Sequence, residues 1–330
     1  MELYVSLWGS MCINIILHYI SYFLLFVRFL FIFLFMKLPP PEARKWPKHS
    51  LQWIEDKVLY CSIPATWDLP LLLKQFQRTS LLYDSVVVGG PGIYLLPDYF
   101  KDLEPYVTVG KYYPGVLQRF NKFATKTTVG CPKNCKFCPV TTVEPEFQCL
   151  PDWPDGQLIW DNNLLAAPIE HFDKVIDMLS KYNWSDFAAG LDAQYMDVYH
   201  AQRISRLKNC IVRLACDSSK NWDRFYSAVE TLLIAGFPKS RIRVFSLVGF
   251  NEGIDSDWER CIKIKETKCS VIPTWYHDVS TTERNTVLEC QKEWGWNEYE
   301  RKRIFSYFYY HKGSPYSKTV FDKDVPFKMM

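Results

Sequence analysis

The sequence predicts an α/β fold: a partial (β/α)6, TIM-like barrel preceded by a small β–α–β domain and an N-terminal apolar segment. Three observations lead there. From about Thr125 onward, strand-like runs alternate with amphipathic helical stretches. Upstream lies a separate strand–helix–strand pattern that ends in a glycine-rich turn. Residues 1–36 are almost uniformly apolar and do not match the rest of the chain.

In that first segment, Leu3 to Val27 carries no formally charged residue, and the apolar run resumes after Arg28 from Phe29 to Met36. This length spans a bilayer as a tilted helix. Lys37, Arg44, Lys45 and Lys48 follow it and would hold the bulk of the chain on the cytoplasmic side. The alternative is a spurious extension with Met36 as the true start, which Asn14, His18 and Arg28 inside the stretch favour. Either way the expected location is the cytoplasm, free or anchored at the cytoplasmic face of a membrane.

Residues 37–52 read as a proline-rich, extended linker. Residues 53–111 form the small α/β domain, with strands at Val58–Ile63 and Ser85–Val88 around a helix from Leu69 to Leu82. The turn Gly89-Gly90-Pro91-Gly92 lacks a P-loop lysine, so a tight turn after a buried strand outweighs a phosphate cradle.

Residues 112–277 hold the repeating units, with strands at Lys126–Val129, Gln157–Trp160, Asp186–Ala189, Cys210–Ala215, Arg241–Val248 and Cys269–Thr274. The intervals leave room for a loop and a helix each, as a parallel sheet requires. Pro168 opens one helix, whose apolar face is Ile169, Phe172, Val175, Ile176 and Leu179. Phe225, Val229, Leu232 and Leu233 form another, stopped by Gly236 and Pro238. Residues 278–330 read as a C-terminal helical extension.

A net charge of +3, with no run of like charges, gives no case for nucleic acid as a partner. Arg301, Lys302 and Arg303, followed by Tyr307 to Tyr310, could face RNA. Packing them inward on a helix explains them equally well. Eleven cysteines in 330 residues fall far short of a disulfide scaffold, so scattered ones read as buried thiols in a reducing cytosol.

Three cysteines are not scattered. Cys131, Cys135 and Cys138 form a C-x3-C-x2-C triplet directly after the first predicted strand of the repeating units. Three thiolates on one short loop can hold three irons of a cuboidal 4Fe–4S cluster and leave the fourth open to a substrate or cofactor. The competing chemistry is a zinc site completed by Cys149, although no second C-x2-C-like pair is present.

This spacing, with Phe137 immediately before the last cysteine, resembles the signature of the radical S-adenosylmethionine (SAM) enzymes. Their fold is the partial barrel, and many carry a small domain like reduced cobalamin-binding domains before it. The cobalamin-ligating Asp-x-His-x-x-Gly motif is absent here, so no cobalamin is expected. The resemblance implies two cofactors, a 4Fe–4S cluster on Cys131, Cys135 and Cys138, and S-adenosyl-L-methionine bound at the open iron. It implies reductive cleavage of SAM to a 5′-deoxyadenosyl radical that abstracts hydrogen from a substrate. It also implies a flavodoxin- or ferredoxin-like electron donor. A second-cluster methylthiotransferase is excluded, because only Cys12 and Cys61 precede the triplet.

The same resemblance assigns SAM contacts at the ends of the predicted strands. Phe137 would lie near the adenine. Asp161, Asn162 and Asn163 stand where the family receives the SAM amino group, in place of its usual Gly-Gly-Glu-Pro-like stretch. Asp192 lies at the rim, Arg213 would meet the SAM carboxylate, and Asp217 or Ser218 the ribose. Gly249 would let the backbone approach the adenine. For Arg213 an ion pair with Asp217 is the structural alternative. Substrate and catalytic residues are not legible.

Overall fold

The computed structural model describes residues 39–79, 82–110, 113 and 115–310. The apolar segment 1–36 and the tail 311–330 lie outside the described residues. Among those described, no helix is long and apolar enough to cross a membrane.

The first sheet has four strands in the order β1 (Leu51–Glu55), β2 (Val58–Ser62), β3 (Ser85–Gly89) and β4 (Val107–Val109). β2, β3 and β4 are parallel neighbours and β1 is antiparallel to β2. Two helices cover it, α1 (Leu69–Thr79) and α2 (Pro91–Leu95). Leu69, Leu72 and Phe76 recur on one face of α1 and are buried against Leu59, Val86 and Val88. Burying each such side chain contributes about 1.5–3 kcal/mol. The expected strand–helix–strand unit is present, with α1 ending at Thr79 rather than Leu82.

The expected extended linker is corrected here. Pro41–Arg44 form a 3₁₀ turn, Ala43 is buried, and Leu51 and Gln52 already belong to β1. The hairpin into β2 turns on Asp56 and Lys57, both at positive φ (47° and 63°). No glycine announces it.

The second sheet has six parallel strands in chain order: β5 (Ala124–Thr125), β8 (Leu158–Ile159), β9 (Ser185–Asp186), β10 (Cys210–Ala215), β11 (Ile242–Val248) and β12 (Ser270–Trp275). A short helix α3 (Val116–Phe120) precedes β5. Between β5 and β8 lie the hairpin strands β6 (Thr128–Val129) and β7 (Gln148–Cys149), with the short helix α4 (Val140–Val143). The crossovers are α5 (Ile169–Ser180), α6 (Val198–Ser205), α7 (Trp222–Ile234) and α8 (Ile254–Glu266), followed by α9 (Glu289–Glu293) and α10 (Glu298–Tyr310). Each β/α unit therefore docks beside its predecessor.

The last three strands lie within a residue or so of their predicted limits. The first does not. Lys126–Val129 was expected in the parallel sheet, but Ala124–Thr125 fill that place, and Thr128–Val129 pair antiparallel with Gln148–Cys149. The backbone N–H groups of Thr127 and Thr128 both donate to the Asp161 carboxylate, which draws this stretch out of the ladder. On α5, Phe172, Val175, Ile176 and Leu179 are buried as expected, whereas Ile169, at the helix start, is 48% exposed.

α10 closes the β12 edge of the sheet. Phe308 is buried in the main core, Phe305 and Tyr307 pack against it, and the Tyr309 hydroxyl donates to the Pro273 carbonyl at 3.2 Å. Arg301 and Arg303 pair with Glu298 and Glu300 on the same helix. Phe305, Tyr307, Phe308 and Tyr309 thus face inward, whereas Tyr299 at the start of the helix is exposed. The two sheets meet where Trp67, after β2, lies 5.5 Å from the His277 ring, with Arg284 over Trp67 at 4.8 Å.

Candidate metal centre

The cysteine loop runs from Gly130 to Glu144 and is closed at its base by one carboxylate. Glu144 accepts the Gly130 N–H at 2.7 Å and the Asn162 side-chain N–H at 2.6 Å, and it pairs with Lys126. Gly130 sits at φ +72°, and a Cβ there would lie 2.1 Å from the Glu146 carbonyl oxygen. Only glycine allows that approach. Inside the loop the Cys138 N–H donates to the Cys135 carbonyl at 2.9 Å, a tight turn that places the two side chains on neighbouring positions.

Cys131, Cys135 and Cys138 are free thiols of intermediate exposure. Burial pushes the Cys135 and Cys138 thiols above their ordinary range, with Lys133 opposing this at Cys135. Among the described residues no three His, Cys, Asp or Glu side chains are gathered closely enough to hold a metal. The donor chemistry, three free thiols on one loop, suits an iron–sulfur cluster. Cys149 is held on β7 opposite Thr128 in the hairpin.

Beneath the loop, Asp161 is 1% exposed and accepts from the Thr127 N–H (2.5 Å), the Thr127 hydroxyl (2.6 Å) and the Thr128 N–H (2.9 Å). Burial raises its pKa against these donors. Because the Thr127 hydroxyl donates to Asp161, it accepts from His171 Nε2 at 3.1 Å, which sets the His171 tautomer. Burial lowers the His171 pKa. Both oxygens of Asp161 therefore serve the root of the loop. Asn163 is also 1% exposed. Its Nδ2 donates to Cys131 Sγ at 3.6 Å, and its Oδ1 is buried with no partner among the described residues.

Above the loop, Lys133 pairs with Asp192 at 2.9 Å, and Asp192 also caps the Gln194 N–H. Asp217 accepts the Leu247 N–H at 3.1 Å, and burial pushes its pKa up to about 6. Phe137 meets Phe250 edge to face at 5.6 Å, and Phe250 lies 4.7 Å from the Tyr276 ring. The loop after β6 thus reaches side chains that follow β9 and β11, and Phe250 in turn meets Tyr276 after β12.

The remaining predicted contacts are committed elsewhere. Arg213 forms a two-pronged pair with Asp186 (2.8 and 2.6 Å), not with Asp217. The register explains it: Ile211 stands opposite Asp186 on adjacent parallel strands, and Arg213 lies two residues on, on the same face. The Ser218 hydroxyl donates to Glu252 at 2.8 Å. Gly249 sits at φ +79° with the Trp275 ring and Gln291 at 2.9 Å from a would-be Cβ, so only glycine leaves room for these side chains against the backbone. Its N–H donates to Asp257, which pairs with Arg260; Arg260 also reaches Glu252, Ser246 and the Leu247 carbonyl. This buried cluster holds the β11 end in shape.

Glu144, Lys133, Glu252 and Arg260 escape sequence reasoning. Lys133 lies inside the triplet and was the one open to suspicion; the others act through contacts that no local spacing announces. No protein-family model matches the chain, and no curated protein matches it.

Proposed function

We propose that this chain is a radical SAM enzyme that holds a 4Fe–4S cluster on Cys131, Cys135 and Cys138 and abstracts hydrogen from a substrate. One observation carries this. A three-thiol loop follows the first strand of a six-stranded parallel sheet and reaches, through Lys133–Asp192 and Phe137–Phe250, side chains that follow β9 and β11. Parallel α/β sheets bind their ligands at the C-terminal ends of the strands. The Phe137–Phe250 contact also supports a sheet curled into the partial barrel, since it joins loops after the first and fifth strands.

When bound, the cluster supplies one electron to a C–S bond of SAM. The protein's part is binding and shelter. Asn163 Oδ1 is a buried acceptor without a partner among the described residues. Asp217, oriented by the Leu247 N–H, offers its other oxygen to ribose hydroxyls. Phe137, Phe250 and Tyr276 provide an apolar wall for the adenine and keep water from the site. Arg213 and Asp161 stabilise the strands and the loop rather than meeting SAM directly.

The deciding experiment supplies SAM and dithionite to anaerobically reconstituted protein and measures 5′-deoxyadenosine. Product is expected from the unaltered chain and not from Cys135→Ala. A Cys135→Ala variant with full turnover would overturn the assignment.

A further inference from the structure

Resting on that assignment, we infer that Asn163 is a positioning residue that sets the reduction potential of the cluster through its N–H···S contact with Cys131. Asn163 is the side chain that follows β8 most closely tied to the triplet: Nδ2 stands 3.6 Å from Cys131 Sγ, within reach of a hydrogen bond to sulfur. The residue is 1% exposed, so no water competes for the sulfur from that side. A cysteine thiolate that ligates iron has no proton and can only accept, which matches the amide edge that faces it.

The amide cannot easily turn away. Asn163 precedes a 3₁₀ turn whose Leu164 and Leu165 are buried, and the Ala166 N–H donates to the Asn163 carbonyl at 3.2 Å. Its neighbour Asn162 is held by Glu144, the same carboxylate that closes the loop at Gly130. The donor and its sulfur are therefore carried on two segments joined by Glu144. A donor aimed at a cluster sulfur stabilises the reduced, more negative state, and so raises the potential. Lys133 and the β11 loop act on other parts of the triplet, and among the described residues the hydrogen bond to Cys131 Sγ comes from Asn163.

The test is an EPR-monitored redox titration of the reconstituted full chain, with Asn163→Leu, Asn163→Asp and Asn162→Leu variants. Leucine keeps the volume and removes the donor; aspartate keeps the shape and places negative charge against the sulfur. Both are expected to shift the midpoint to more negative potential, aspartate further. Asn162→Leu, which loosens the Glu144 joint but removes no donor to sulfur, is expected to shift the midpoint less than Asn163→Leu. Should Asn163→Leu fail to retain iron, Asn163→Asp alone decides. A loaded wild type with unshifted Asn163 variants overturns this inference while leaving the cluster standing. A wild-type chain that takes up no cluster overturns the proposed function and this inference together.

Discussion

Glu144 accepts the backbone N–H of Gly130 at 2.7 Å, joining the two ends of a loop that carries all three clustered cysteines. The contact spans fourteen residues of sequence. Holding a loop's ends together removes closure entropy before any metal arrives. The same carboxylate takes the Asn162 amide, which ties the loop to the end of β8.

Replacing Glu144 with alanine should therefore release both segments. A charge-assisted hydrogen bond is worth about 1.5–3 kcal/mol; Glu144 is partly exposed, so a loss of about 1–2 kcal/mol is expected in urea unfolding. Iron retention on dilution should fall several-fold. Glu144→Gln, which keeps one acceptor oxygen, should lie between.

Gly130→Ala should disturb the same loop by a different route. Its Cβ would lie 2.1 Å from the Glu146 carbonyl oxygen at φ +72°. Backbone on both sides must move, with a strain cost of about 1–3 kcal/mol. Unfolding curves should show that loss, and cluster assembly should slow. Gly115→Ala, at φ +77° with nothing described within 4 Å of a would-be Cβ, carries the backbone strain without the clash, so the excess loss in Gly130→Ala measures the clash.

Arg213→Met leaves Asp186 buried beside β10 without its two-pronged partner. Breaking a buried pair from one side costs about 3–5 kcal/mol. The double variant Arg213→Met, Asp186→Leu should regain most of the loss. A double-mutant cycle measures this directly.

His277 gives the acid side of the stability profile. Burial, then Arg284 and Arg301, lower its pKa below the ordinary 6.5. The unfolded chain therefore binds its proton first as pH falls. Stability is at its full value above about pH 6.5 and falls as pH drops through that value into the lowered range. His277→Gln should flatten this part of the curve in urea titrations at stepped pH.

The parts of the fold that were legible are the ones with long buried runs. β10, β11 and β12 are six or seven residues long, rich in branched and aromatic side chains, and they read cleanly. β5, β8 and β9 are two residues each, too short for any period to show, and the first was placed two residues late. β1 is partly exposed along its length and turns on Asp56-Lys57 without glycine, so neither burial nor turn chemistry marked it. The cysteine spacing was plain, because a ligand set on one loop is local. Partners across strands were not: that Arg213 needed a carboxylate followed from its burial, but which one depended on register between β9 and β10. Glu144 was opaque for the same reason, and so was the contact of Asn163 with Cys131, since each acts on residues that only the folded sheet brings near.

The central claim is that Cys131, Cys135 and Cys138 together carry an iron–sulfur cluster with one iron open. Its most direct measurement is the iron and sulfide content of the anaerobically reconstituted chain, with EPR of the reduced protein before and after SAM is added. The account predicts about four irons and four sulfides per chain, and a spectrum that SAM perturbs. It predicts that Cys149→Ser keeps both, while alanine at all three clustered cysteines loses both. A colourless protein with one zinc that Cys149→Ser releases, or iron content unchanged in the triple variant, would contradict it.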